Sequence, residues 1–363
     1  MASPLLDVLR DPSAASALDA AGWELLLRQA RAERLHARLA WTLDASRSAD
    51  GVPDAARRHL RAYRTSSEAH DRSVRWEVDR IAAALRGIDA PVVLLKGAAY
   101  LLSGLPVARG RIADDVDILV PKDRLGAVEA ALLAHGFEHV KVDPYEQKYY
   151  RRWMHELPPL RHPGRDSMID VHHTILPETS RLRPDAAELI RASRPLEGAP
   201  GVRALAPTDL VLHSAAHLFH DGAFERGLRD LVDLDDLLRT FSREPGFWDS
   251  LVGRGARLDL GRPMFYVLRY ASRLLGTPVP AAALAAADAH RPGRLALALM
   301  DRLVPTAVTP EHPERTTWRA AFRRWELYVR SHWLRMPPWL LARHLATQGF
   351  RRLFGGSRGL ARR

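Results

Sequence analysis

Leu94–Val120, LLKGAAYLLSGLPVARGRIADDVDILV, is the stretch around which the chain is organised. It reads as the end of an apolar strand (91–95), a tight turn at Gly97, a short helix over 98–102, an Arg-bearing loop over 103–113, and a second strand carrying Asp115 and Asp117. Side chains alternate along a strand, so Asp115 and Asp117 share one face while Val116, Ile118 and Val120 take the other. Adjacent carboxylates repel unless a cation sits between them, and hard oxygen donors suit magnesium or manganese. Amides at the start of the short helix favour phosphate, and Lys96 adds charge there. Of the loop arginines, Arg109 and Arg111, the second is the better candidate for gripping phosphate through its guanidinium fork; the alternative is a pair with Asp114 or Asp115. Asp114 faces away from the Asp115/Asp117 side and reads as structural.

Downstream, Pro121 ends the strand and an amphipathic helix over 122–135 closes at Gly136. A strand over 137–142 and a hairpin, 149–157 with 167–175 around a 158–166 loop, complete an expected mixed sheet of four or five strands. Met168, Asp170 and His172 share a face of the last strand. Asp disfavours strands. Asp170 completes a carboxylate triad if this strand neighbours Asp115/Asp117; otherwise it is held by an Arg or by His172. His172 is expected to orient Asp170 or touch nucleotide, and His173, on the other face, to be structural.

Lys96-Gly97, Arg111, Asp115-Val116-Asp117 and Asp170-Val171-His172, in that order, resemble the nucleotidyltransferase superfamily that includes DNA polymerase β and the antibiotic-modifying nucleotidyltransferases. The likeness is nearest to the bacterial uncharacterised nucleotidyltransferase family and covers residues 75–240. It implies an α+β fold, a small mixed β-sheet nucleotidyltransferase core flanked by N-terminal helices and a larger C-terminal helical region. It also implies a Mg-dependent enzyme that moves NMP from an NTP such as ATP to an acceptor and releases pyrophosphate. Asp115, Asp117 and Asp170 would be both catalytic residues and ligands of two Mg2+ or Mn2+ ions. Lys96, Gly97, Ala98, Arg111 and His172 would contact the nucleotide. The superfamily turn usually has Gly followed by Gly or Ser, where this chain has Gly97-Ala98, so phosphate contacts would lean on Lys96 and Arg111.

The remaining chain supplies helices. The 363 residues allow one large domain or two, and Leu, Ala and Arg dominate. An apolar-periodic run starts at Trp23 and continues through Leu35, Leu39 and Leu43, and a second spans 53–88. After Pro184 the pattern is helical throughout. His213, His217 and His220 fall on one helical face; zinc is one reading, a core or interface face the other. The Arg229-Asp230-Leu231-Val232-Asp233 segment that follows matches the family's second half, in a structural or substrate-facing role. The expected regions are 1–88 helical, 89–180 the α/β core, 181–312 helical, and 313–363 basic Arg/Trp-rich helices.

Net charge is +11, and residues 315–363 hold twelve Arg, no Lys and one acid, Glu326, which accounts for the whole excess. Trp318, Phe322, Trp325 and Val329 make an apolar stripe among these arginines, and a further helix is expected over 339–354. The segment is read three ways: helices packed on the body with a solvated Arg face, a contact with RNA or another polyanion, or a peripheral membrane contact. No cysteine occurs, so disulfides and thiolate metal sites are excluded. There is no eighteen-residue apolar run and no signal-peptide pattern, so cytoplasmic placement is the default. The acceptor stays open among small molecule, peptide or protein, and RNA. Two other classes of function remain: a catalytically weak partner protein of a biosynthetic or toxin–antitoxin system, and a nucleic-acid-directed nucleotidyltransferase using the basic C-terminus.

Overall fold

A computed structural model describes residues 3–46, 52–140 and 154–335, apart from 166, 222–223, 225, 313 and 315–316. Helices α1 (Pro4–Arg10), α2 (Ala20–Ala32), α3 (His36–Ala45) and α4 (Asp54–Ala84) come first. Ser3 and Asp19 cap α1 and α2 by accepting backbone N–H bonds, the expected use of short polar side chains at helix starts. The run from Trp23 to Leu43, read as one, is two helices, because Arg34 takes a positive φ of 56° and turns the chain between them.

The sheet has seven strands. They are β1 (Val92–Leu94), β2 (Val116–Leu119), β3 (Glu138–His139), β4 (Leu160–His162), β5 (Ser167–His172), β6 (Arg194–Pro195) and β7 (Val202–Ala204), in the order β3-β4-β5-β2-β1-β7-β6. Pairing is mixed: β2 runs parallel to β5 and β1 parallel to β7, while the other neighbours are antiparallel. Helices α5 (Lys96–Leu102) and α6 (Leu125–Ala134) lie between β1 and β3 in the chain. All four residues of β2 are buried, as a central strand requires.

Three expectations about the sheet are corrected. It has more than four or five strands, and the chain after Pro184 is not all helical, because β6 and β7 add to the edge beyond β1. These strands have two and three residues, too short for a period-two signal. The hairpin partner of β5 also starts later than expected, at Leu160, inside the stretch read as a loop. Pro158 and Pro159 have no N–H to give a ladder, though Leu157 N still donates to Val171 O at 2.9 Å and Glu156 bridges His172. Residues 141–142 and 149–153 of the expected strands lie outside the described residues.

The helical part comprises α7 (Ala186–Ala192), α8 (Pro207–Ala216), α9 (Gly227–Phe241), α10 (Phe247–Arg257), α11 (Gly261–Tyr270), α12 (Ala281–Ala287), α13 (Arg294–Val308) and α14 (Trp318–Arg335). Helix α8 is its axis: Asp209, fully buried, accepts two bonds from Arg254 of α10 at 2.7 and 2.9 Å. Tyr100 Oη and Ser214 Oγ, 2.5 Å apart, tie α5 of the sheet layer to α8.

Helix α14 departs from the reading in which its apolar stripe packs on the body and its arginines face solvent. Trp318, Phe322 and Trp325 are 73%, 46% and 56% exposed, while Ala320, Leu327, Ser331 and His332 are buried. Arg330 turns inward and donates to Phe219 O at 2.8 Å. Aromatics thus face solvent and an arginine faces the body. The 339–354 helix lies outside the described residues.

Candidate active site

The site forms where β2 meets β5. Their register sets Asp117 directly opposite Asp170, and parallel neighbours project to the same side of the sheet. Asp115, one alternation earlier, joins them: one carboxylate oxygen of each lies within 4.8 Å of the others. The strand pairing on which the triad depended is therefore present. Asp117 is buried at 4% exposure, and Asp115 and Asp170 are half-buried.

The three carboxylates do not titrate alike. Burial would raise Asp117, but Lys96 Nζ at 3.5 Å and the hydrogen bond from His172 Nε2 at 3.0 Å hold it well below the usual range. Asp115 is raised by burial and by the charge of Asp117. Asp170 is pushed up to about 8 by burial, then by the charges of Glu156, Asp117 and Asp115. Its Oδ1 is buried and accepts no hydrogen bond. An orphaned carboxylate oxygen, pointing among other carboxylates with all-oxygen chemistry, fits a hard divalent cation.

The turn after β1 works differently from the sequence expectation. The positive φ belongs to Lys96, at 43°, not to Gly97. Helix α5 starts at Lys96 rather than Ala98. Gly97 is needed for space: a Cβ there would lie 2.9 Å from Ala113 Cβ and run into the Arg111 guanidinium. Ala98 is buried. Lys96 is held protonated by the surrounding acids, Asp117 foremost, against the opposing effect of burial.

Arg111 pairs with neither Asp114 nor Asp115. Its Nε donates to Asp233 Oδ2 of α9 at 2.6 Å, and the guanidinium lies 5.4 Å from the Tyr100 ring centroid. Gly110 makes this loop possible: its φ is +72°, and a Cβ would come within 2.5 Å of the Ala37 and Arg38 backbone in α3. Asp114 is bound by Arg34 and, at 2.7 Å, by Arg226, in keeping with a structural role. Arg109 is exposed.

His172 orients Asp117, not Asp170 as expected, and its Nδ1 lies 3.3 Å from Glu156 Oε2. At 3% exposure it is buried beside Asp117. The three helix histidines do not converge, because a π-helical turn over His217–Asp221 breaks their spacing. His220 Nε2 is hydrogen-bonded with Ser180 Oγ at 2.7 Å, and His213 is kept neutral by burial and by Lys96. Among the described residues no metal-capable group includes them.

A cavity of about 500 Å³ opens over Asp115 and Asp117, bounded by Lys96, Arg111, Arg229, Asp230 and, from α14, Tyr328, His332 and Arg335. A second, of about 720 Å³, lies on the other side of Asp115, with Trp76, Arg165 and Met168 on its wall. A larger one of about 940 Å³, beside Lys122 and Glu178, touches none of the three carboxylates. Sequence reading missed Glu156, Asp233 as a site partner, and the α14 wall. Asp230 and Asp233, three apart on α9, carried the only periodic hint; Glu156 next to a Pro pair carried none.

The sheet, the carboxylates and the flanking helices define a nucleotidyltransferase-type architecture. The family model described as uncharacterised nucleotidyltransferase matches residues 19–276, and the chain belongs to that family. No curated protein matches significantly. Among solved structures, an antigenic nucleotidyltransferase-like protein from Paracoccidioides brasiliensis is similar at 15% identity and a TM-score of 0.31, covering 58% of this chain and 96% of that one. No helix among the described residues is long and apolar enough to cross a membrane.

Proposed function

We propose that the protein transfers NMP from a nucleoside triphosphate to an acceptor, with release of pyrophosphate. The observation that carries this reading is the register of β2 and β5, which brings Asp115, Asp117 and Asp170 together beside a cavity that Lys96 and Arg111 line. The acceptor's nucleophilic atom attacks the α-phosphorus; the bond from that phosphorus to the bridging oxygen breaks, and pyrophosphate leaves with the electron pair. Such chemistry asks a protein mainly for alignment and charge neutralisation.

Asp115, Asp117 and Asp170 would hold magnesium or manganese, with two ions expected. A divalent cation bound there polarises the phosphate oxygens and neutralises the leaving group. Lys96 meets the phosphates beside Asp117, and Arg111, fixed by Asp233, presents its remaining N–H groups to the cavity. Asp170 would hold the ion at the acceptor and serve as base for an acceptor hydroxyl. The second cavity, across Asp115, is assigned to the acceptor.

A second reading draws on α14, where exposed Trp318, Phe322 and Trp325 alternate with Arg319 and Arg323. Stacking surfaces among cations suit a single-stranded nucleic acid acceptor. Charge reversal at Arg319 and Arg323 tests it better than truncation, since truncation would also remove Tyr328 and His332 from the cavity wall.

The test is thermal stabilisation by each NTP with magnesium, in wild type and in Asp115→Asn/Asp117→Asn. At a hundred times its dissociation constant a ligand adds about 2.7 kcal/mol, a shift of about 2–4 °C for a chain of this length. A magnesium-dependent shift that the double variant loses supports the reading. A folded wild type that responds to no NTP overturns it.

A further inference from the structure

We infer that His155, Glu156 and His172 form a second metal site, one that takes a divalent transition metal of the zinc type, on the opposite side of the His172 imidazole from Asp117. Each residue offers a ligand atom within 4.8 Å of the other two. The backbone fixes all three. Glu156 bridges His172 in antiparallel register, and His173 N donates to His155 O at 2.9 Å, so the 155–156 segment is pinned along β5.

The observation that points to a ligand is the placement of the two His172 nitrogens. Its Nε2 lies 3.0 Å from Asp117 Oδ1, and a carboxylate partner requires that nitrogen to carry the proton. Nδ1 is the ring's other nitrogen. That atom is buried, makes no hydrogen bond, and lies 3.3 Å from Glu156 Oε2. Carboxylates on both sides of one buried imidazole favour a positive charge between Nδ1 and Glu156, and either a second proton or a bound metal cation would supply it. A metal-binding histidine that gives its other N–H to a carboxylate is the arrangement by which second-sphere partners fix a ligand's tautomer.

The geometry and the donors favour zinc over magnesium. Tetrahedral bonds of about 2.0–2.2 Å place donor atoms about 3.4 Å apart, close to the 3.3 Å between Nδ1 and Oε2. His155, its ring centroid 5.2 Å from that of His172, closes the third position by a small movement. Two imidazoles and one carboxylate make a borderline-soft set, whereas Asp115, Asp117 and Asp170 offer oxygen alone. The two donor sets would therefore sort two kinds of ion. The zinc-type ion would lock His172 as an N–H donor to Asp117 and hold the segment before the Pro pair against β5. The site stands whether or not the neighbouring cavity takes a nucleotide.

Two measurements test it. Full-length protein purified with zinc and dialysed into metal-free buffer is analysed for metal content; the metal-free form is then titrated with cobalt(II) and its visible spectrum recorded. The expected result is near-stoichiometric zinc and the intense cobalt bands of a low-coordinate nitrogen-containing site. Both persist in Asp115→Asn/Asp170→Asn, and zinc affinity falls by at least about 100-fold in His155→Ala. Glu156→Gln, which keeps the side-chain shape, serves if His155→Ala fails to fold by circular dichroism. Wild type without zinc and without the cobalt bands overturns the inference and leaves a proton on His172 as the positive group. Retention of zinc by the folded His155→Ala or Glu156→Gln protein, or its loss in the Asp115/Asp170 variant, also overturns it.

Discussion

Arg111 and Asp233 form a buried ion pair, 2.6 Å between Nε and Oδ2, that joins the loop before β2 to helix α9. Both side chains are more than nine-tenths buried, so removing one strands the other's charge away from water. Asp233→Ala is expected to cost about 3–5 kcal/mol in urea denaturation. Arg111→Met/Asp233→Leu should recover much of that stability yet still lose NTP-induced stabilisation. A double variant that keeps the NTP response would show that Arg111 serves the fold alone.

Asp170 gives the metal-free protein a signature in pH. Its folded pKa, about 8, lies above the unfolded value of about 3.9. The folded chain therefore keeps a proton that the unfolded chain has lost, so this group's contribution to stability is full below about pH 4 and declines as pH rises through about 8. In chelator, Asp170→Asn should raise Tm at pH 8 by about 2 °C or more and change little at pH 4. Magnesium should raise the wild-type Tm more at pH 8 than at pH 6. Parallel Tm–pH curves for variant and wild type would assign the titration to another group. Asp117 works in the opposite sense: held low by Lys96 and His172, it loses its contribution only in acid.

Gly110→Ala tests the support of the Arg111 loop. The left-handed φ alone costs about 1 kcal/mol, and the new methyl meets the α3 backbone, which has no flexible end to move. A loss of more than about 2 kcal/mol in stability is expected, along with weaker NTP binding. Gly104→Ala, where a Cβ meets nothing within 4 Å, should show only the conformational cost.

On α14 the buried and exposed faces predict unequal responses. Leu327→Ala should cost about 2–5 kcal/mol. Trp318→Ser with Trp325→Ser should stay within about 1 kcal/mol of wild type, since exposed side chains contribute little. Equal losses in the two proteins would mean that the aromatic stripe is packed.

Much of the candidate site is local in sequence. Asp115 and Asp117 share a face because strands alternate, and Asp170 follows by the same rule within β5. Lys96 follows β1 after Leu95, and its place beside Asp117 comes from the antiparallel pairing of β1 with β2. Such features depend on neighbours a few residues away, which is why they are legible in the bare chain.

What the sequence determined by itself is the list of chemical groups: three carboxylates on strand-forming segments, a lysine at a Gly turn, an Arg loop, and a C-terminal excess of arginine. Tertiary structure decided their partners. Asp233 reaches Arg111 from 122 residues away, Glu156 and Asp117 flank the two nitrogens of His172, and β7 joins β1 across more than a hundred residues. It also decided that α14 turns Leu327 and Arg330 inward and its tryptophans outward. Periodicity marks an apolar stripe on a helix, but which stripe is buried depends on the surface it meets, and that surface is built by residues far away in the chain.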